Sequence, residues 1–387
     1  MTDQKDLSTR LIHTRSGGRH SPTVNPPLER GSTLLMPDIE ALYRDSPSYG
    51  RGGLAVHREL EDGLCTLEGA SFAQLTPNGL SACALAAAST VRAGDHVLVA
   101  DNVYGPARRF CTRRLREMGV EATFFAARTP ADDLAGLIRP NTRMIYLESP
   151  GSLTFELCDT PAIAALARSR NIITVLDNTW GCGAVHRPLE LGVDISVQAL
   201  TKYVVGHADA FGGAVLCRDK SIGAKITATA IDWGLSLAPD DAWLAVRGLR
   251  TLPVRLKAHG ASATRIAGWL ETQKGVAHVL HPGLESHPDH AIWQRDFSGA
   301  TGLFGLVLED AGPDGLQRFF GALSLFGFGF SWGGYESLAI PADPKFKRET
   351  GHPIEGDRDR LIRVHIGLED TDDLIADLSA GLMALGD

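Results

Sequence analysis

The chain has 387 residues, with 38 Lys plus Arg against 46 Asp plus Glu, a formal charge of −8 and 44% hydrophobic residues. That length holds two domains with a sizeable shared core, and the composition is that of a soluble globular protein. The acidic balance argues against a general nucleic-acid or anionic-membrane surface, and no run of about 18 apolar residues spans a bilayer.

The polar start MTDQKDLSTR has no apolar signal core. Six cysteines (Cys65, Cys83, Cys111, Cys158, Cys182 and Cys217) are scattered without a CxxC pair. In a chain of this length they read as free thiols in a reducing cytoplasm. Residues 1–53 carry few apolar runs and many breakers, including Gly17-Gly18, Pro22, Pro26-Pro27 and Gly50 to Gly53. This is read as an extended arm that cannot bury itself and must lie on another surface. Its motif SYGRGG supplies Tyr49 and Arg51, and an arginine fork suits a phosphate. An arm of this kind is read as reaching a neighbouring subunit's site.

From 54 to 248, short apolar runs alternate with helix-like segments. HVLVAD, MIYLES, IITVLDN, DISVQAL and GGAVLC have the near-continuous Val, Ile and Leu content of strands buried on both faces. PAIAALARSR, with Pro at its first turn, reads as a helix between two of them. The alternation predicts an α/β domain with a mostly parallel sheet, whose ligands bind beyond the carboxyl ends of the strands. Between strand-like SFAQLT and helix-like SACALAAAS lies PNGLSA. A glycine turn opening a helix offers the amides of Gly79 and Leu80 to an anion, although most such turns are only turns. Tyr104, in DNVYGPA, presents a ring face that can cover a flat heterocycle.

Asp177 ends one β-like run and Lys202 follows a second, 25 residues later (202 − 177). Pyridoxal 5′-phosphate (PLP) chemistry needs this pair. A carboxylate keeps the pyridine nitrogen protonated, and an amine that readily loses its proton holds the aldehyde as a Schiff base. Thr201 adds a hydroxyl beside the lysine. Residues 249–387 change pattern. The helix-like run Pro253 to Gln273, strand-like LFGLVLE and LIRVHIGL, and a closing helix DTDDLIADLSAGLMAL predict a smaller α+β domain. His281, His287 and His290 fall in a loop marked by Pro282, Gly283 and Pro288, and no metal site is read there.

SYGRGG, PNGLSA, DNVYGP, YLESPGS, DNTWGCG, SVQALTKYVVGHADA, VRGLRTLPVRL, FSWGGYES and RVHIGLEDTDDLIADL together resemble the Cys/Met-metabolism family of PLP enzymes of fold type I. DNTW, and SWGGYESL behind Phe330, lean toward the bacterial cystathionine β-lyases within it. The resemblance implies a large seven-stranded-type sheet domain, a smaller C-terminal domain and an arm. It implies α,β-elimination of cystathionine to homocysteine, pyruvate and ammonia, with other cysteine S-conjugates as further substrates. A γ-acting relative is the alternative enzyme reading, and a PLP-fold binding or regulatory protein is the alternative of another class.

By the same resemblance, Lys202 is the Schiff-base lysine and general base, Asp177 the pyridinium partner and Tyr104 the stacking ring. Gly79, Leu80 and Thr201 contact phosphate, and Tyr49 and Arg51 act from the adjacent subunit. Arg363 grips the substrate α-carboxylate, assisted by Ser331 and Trp332, with Phe330 also among the substrate-binding residues. The implied assembly is a homotetramer built as a dimer of dimers. Two departures concern the far end of the substrate: Gly52 stands where some bacterial β-lyases carry a second arginine, and Arg109 where they carry an acid.

Overall fold

The computed structural model describes residues 5–14, 23–43, 48–342, 348–351 and 358–386. Gly17-Gly18 and Pro22 of the arm lie outside them. Seven strands form the larger sheet: β1 (Phe72–Thr76), β2 (His96–Ala100), β3 (Glu121–Phe125), β4 (Thr142–Glu148), β5 (Ile173–Asp177), β6 (Ile195–Gln198) and β7 (Gly213–Cys217), in the order β1-β7-β6-β5-β4-β2-β3. The run from β3 to β6 is parallel throughout, while β7 is antiparallel to both β6 and β1. Every residue of β2, β6 and β7 is buried. That two-sided burial is why these strands read as continuous apolar runs rather than as alternating ones. The Gly79–Ala88 helix packs on β5, β6 and β7, and its alanines allow a close approach.

A second, antiparallel sheet comprises β8 (Val276–Leu280), β9 (Leu303–Leu308), β10 (Leu338–Pro341) and β11 (Leu361–His365), in the order β10-β11-β9-β8. Helices Gly315–Ala322 and Thr371–Met383 join it around a core of Phe304, Leu306, Phe319, Val364 and Leu378. Three strands escaped the sequence reading: β3, β8 and β10. All three lie at sheet edges, and three of five positions in β3 and four of five in β8 are exposed or half-buried, so their apolar signal is weak.

Two further differences concern helices. The helix expected from Pro253 begins at Pro239 and runs unbroken to Leu270, with Pro253 in its interior. A buried stripe including Ala242, Val246, Leu249, Leu252, Leu256, Ala263 and Ile266 outweighs the lost N–H of one proline. The helix therefore passes through residue 248, where the sequence pattern divides. The arm, too, is not uniformly extended. Leu7–Ile12 is a helix whose Leu11 is buried with Leu60 and Leu64, and Trp243 Nε1 donates to Pro26 O at 2.9 Å. Val24, Leu35 and Ile39 stay largely exposed.

Candidate active site

Asp177 is the last residue of β5, flanked in register by Glu148 on β4 and Val197 on β6. It is buried, and burial pushes its carboxyl above the usual range. Donors oppose that shift. Thr179 gives its amide (3.0 Å) and hydroxyl (2.5 Å) to Oδ1, and Cys83 Sγ donates to Oδ2 at 3.5 Å. The Thr179 hydroxyl in turn accepts from Ala199 N at 3.0 Å, and Lys202 N donates to Ala199 O at 3.2 Å. The acid and the lysine turn are thereby tied together.

Lys202 lies in the turn that follows β6, closed by Gly206 N donating to Lys202 O at 2.8 Å. Its ammonium donates to Ser331 Oγ at 2.7 Å and sits 5.2 Å from the Trp332 ring centroid. Burial first, and then the like charge of Arg363, pull its pKa down to about 8, against the opposing pull of Asp177. Gly333 makes the approach possible. Its φ is +89°, and a Cβ there would lie 2.9–3.0 Å from the Lys202 and Tyr203 backbone.

Arg363 is central in β11 and donates to Ser331 O at 2.7 Å. That bond holds Ser331 at φ +80°, a conformation unusual for a residue with a side chain. Burial lowers the guanidinium pKa to about 10. Among the described residues no carboxylate pairs with it. A half-buried cation in that state is a receptor for an anion. Trp332 packs edge-on to Tyr203 at 5.3 Å between ring centroids, whereas Phe330 is 89% exposed.

The Gly79–Ala88 helix is capped by the Asn78 side chain, which accepts from Ser81 N at 2.9 Å. The Gly79 and Leu80 amides are left free at the positive end of the helix. A Cβ on Gly79 would stand 2.5 Å from Ala199 Cβ, so glycine is required for the helix start to reach the lysine turn. Thr201 Oγ1 is already engaged with Gly212, accepting from its amide at 3.1 Å and donating to its carbonyl at 3.3 Å.

Tyr104 caps the short helix Gly105–Arg109 and is 43% exposed. Burial of its ring, then the nearby Cys83, Asp177 and Glu148, push its phenol pKa up. Its amide donates to Glu148 Oε2 at 2.5 Å. Glu148 had no role in the sequence reading, yet it carries the same signal as Asp177, an acid closing an apolar run. Asp101, which accepts from the Glu349 and Thr350 amides at 2.5 and 2.8 Å, was also missed. It ties a C-terminal segment to the tyrosine loop. Tyr49 and Arg51 stand apart from this cluster. Both are exposed on the Gly50–Gly52 turn, with the guanidinium 5.3 Å from the tyrosine ring centroid.

These residues suit PLP. A buried acid, an amine with a depressed pKa, a helix start with free Gly79 and Leu80 amides, and a half-buried guanidinium with no carboxylate partner among the described residues match a ring nitrogen, an aldehyde, a phosphate and an amino-acid carboxylate. Among the described residues no group of three or more His, Cys, Asp or Glu side chains is placed to hold a metal ion. No helix among them is long and apolar enough to cross a membrane.

The sequence matches the family described as Cys/Met metabolism PLP-dependent enzyme over residues 8–383. It is 40% identical over 394 residues to a cystathionine beta-lyase of Bordetella avium, covering 98% of each chain. It is 39% identical over 393 residues to cystathionine beta-lyase MetC of Escherichia coli K12, covering 98% of this chain and 99% of the relative. A cystathionine gamma-lyase structure from Lactobacillus plantarum, complexed with L-serine, superposes with a TM-score of 0.91 at 30% identity, over 99% of this chain and 100% of that one. Sequence and geometry agree, and the chain belongs to the Cys/Met-metabolism family of PLP-dependent enzymes.

Proposed function

We propose that the protein is a PLP-dependent carbon–sulfur β-lyase that cleaves cystathionine to homocysteine, pyruvate and ammonia. The observation that carries this reading is the convergence of Lys202 and Arg363 on one residue: Lys202 Nζ reaches Ser331 Oγ and Arg363 reaches Ser331 O, each at 2.7 Å. An α-carboxylate held by Arg363 brings the adjacent Cα to the lysine amine. Relatives near 40% identity that bear the cystathionine beta-lyase name support the β-elimination.

Lys202 would hold PLP, Asp177 would face its ring nitrogen and Tyr104 would cover its face. The Gly79 and Leu80 amides would take the phosphate, with Thr201 joining if it releases Gly212. When bound, the cofactor supplies an electron-poor ring that stabilises negative charge at the substrate Cα. Arg363 fixes the substrate through a bidentate grip on its carboxylate. Lys202, whose lowered pKa of about 8 makes the free amine available from that pH upward, would remove the Cα proton. The resulting ammonium returns that proton to the sulfur leaving Cβ. Trp332, packed edge-on against the buried Tyr203, borders the lysine side of the pocket.

Tyr49 and Arg51 are exposed and contact each other rather than the site groups among the described residues, and on this reading they serve a neighbouring copy, where the arginine would complete the phosphate site. The working assembly on this reading is a dimer of dimers. The test is product analysis of the PLP-loaded protein with cystathionine. Pyruvate and a free thiol in equal amounts support the assignment, and Lys202→Ala should abolish both. Release of 2-oxobutyrate instead would reassign the protein to γ-elimination, and no keto acid at all would refute a lyase.

A further inference from the structure

We propose that the Cys83 thiol is a positioning residue for the electron-accepting ring, donating to Asp177 Oδ2 so that this carboxylate leaves its proton on the ring nitrogen. The inference rests on the reading above in which Asp177 faces that nitrogen.

The geometry gives the thiol few other duties. Cys83 projects from the first turns of the Gly79–Ala88 helix, is 3% exposed, and has its sulfur 3.5 Å from Asp177 Oδ2. Both Thr179 donors go to Oδ1. Oδ2, the oxygen left to meet a ring N–H, therefore has Cys83 as its one hydrogen-bond donor among the described residues. The groups facing Asp177 come from every packed element. Cys83 comes from the helix, Tyr146 and Glu148 from β4, Tyr104 from its loop and Lys202 from the turn after β6. Glu148 sits directly beside Asp177 in the parallel ladder. A second acid in a dry site makes each carboxylate more basic. An over-basic Asp177 would draw the proton off the ring and weaken its pull on electrons. A donor on Oδ2 counteracts that by spreading the charge.

Burial and the neighbouring carboxylates push the Cys83 pKa well up, so it stays an S–H donor across the working pH range and is no nucleophile. Next to it lies the buried Tyr146 hydroxyl. That phenol interacts with both Cys83 and Asp177. The arrangement thus continues as a short polar column behind the ring.

The test compares Cys83→Ala and Cys83→Ser with wild type as PLP-loaded proteins, reading the visible absorbance of the bound cofactor across pH. Losing the donor leaves the ring less electron-poor, and the nitrogen linking it to Lys202 holds its proton to higher pH. The midpoint of the absorbance transition should rise by about half a pH unit in Cys83→Ala, as expected for one weak hydrogen bond to a charged group. Cys83→Ser restores a donor of similar size and should return the midpoint to the wild-type value. An unchanged midpoint in Cys83→Ala, or an equal shift in both variants, would reduce the thiol to packing and overturn the proposal. Wild-type protein that takes up no PLP would overturn it together with the functional reading, which separates the two failures.

Discussion

Replacing Arg363 with leucine tests the substrate grip most directly. The guanidinium is half-buried, donates to Ser331 O at 2.7 Å and has no carboxylate partner among the described residues. Its loss removes two charge-assisted hydrogen bonds to the substrate carboxylate, each worth about 1.5–3 kcal/mol. A combined loss of about 3–5 kcal/mol lowers kcat/KM roughly 10²- to 10⁴-fold. A second effect follows from the charge. Without Arg363 one of the two causes depressing Lys202 disappears, so the lysine pKa rises above about 8. The pH at which activity develops should then move upward. Steady-state pyruvate release between pH 6 and 10 measures both effects, and circular dichroism confirms the fold. Arg363→Lys keeps the charge but not the fork, so it should restore the pH profile more fully than kcat/KM. A leucine variant within threefold of wild-type kcat/KM would refute the role assigned to Arg363.

The lysine pKa also governs cofactor capture by the apoprotein. Below pH 8 the amine is mainly ammonium and above it mainly free, so the rate of PLP uptake should climb with pH and level off beyond about 8. Stopped-flow absorbance measures it, and a midpoint near the ordinary lysine value of 10.5 would contradict the assigned burial. Glu148→Ala removes the acceptor of the Tyr104 amide and should weaken PLP affinity about tenfold by equilibrium dialysis. Glu148→Gln, which keeps an acceptor there, should retain most of it, and equal losses in both would argue against an anchoring role. Arg109 is exposed and its charge reaches Tyr104, so Arg109→Asp should change selectivity rather than chemistry. The ratio of kcat/KM for cystathionine over an S-alkylcysteine should rise about fivefold, in keeping with a solvent-screened charge, and an unchanged ratio would place the distal end elsewhere.

Asp177 and Lys202 were legible because one closes a buried apolar strand and the other lies in the turn just beyond a second, and strands buried on both faces write themselves as near-continuous apolar runs. The Gly79 turn was legible as a possible anion site, but the 2.5 Å approach to Ala199 that makes glycine compulsory there belongs to tertiary packing. The roles of Arg363, Ser331 and Trp332 came through family likeness. The residues meet from the second sheet and the loop before β10, roughly 130–160 positions beyond the lysine, a separation no local pattern spans.

The amino-acid order alone determined the chemistry of the large sheet, since local periodicity and an acid or a lysine at a strand end are properties of a few neighbouring residues. Only the folded chain decided how those groups behave. Burial and the facing Arg363 bring Lys202 down to about 8, the parallel β4–β5 ladder sets Glu148 beside Asp177, and a helix from another part of the sheet aims Cys83 at the same carboxylate. Those effects depend on which distant charges share a dry space, and such distances exist only once the sheets have packed.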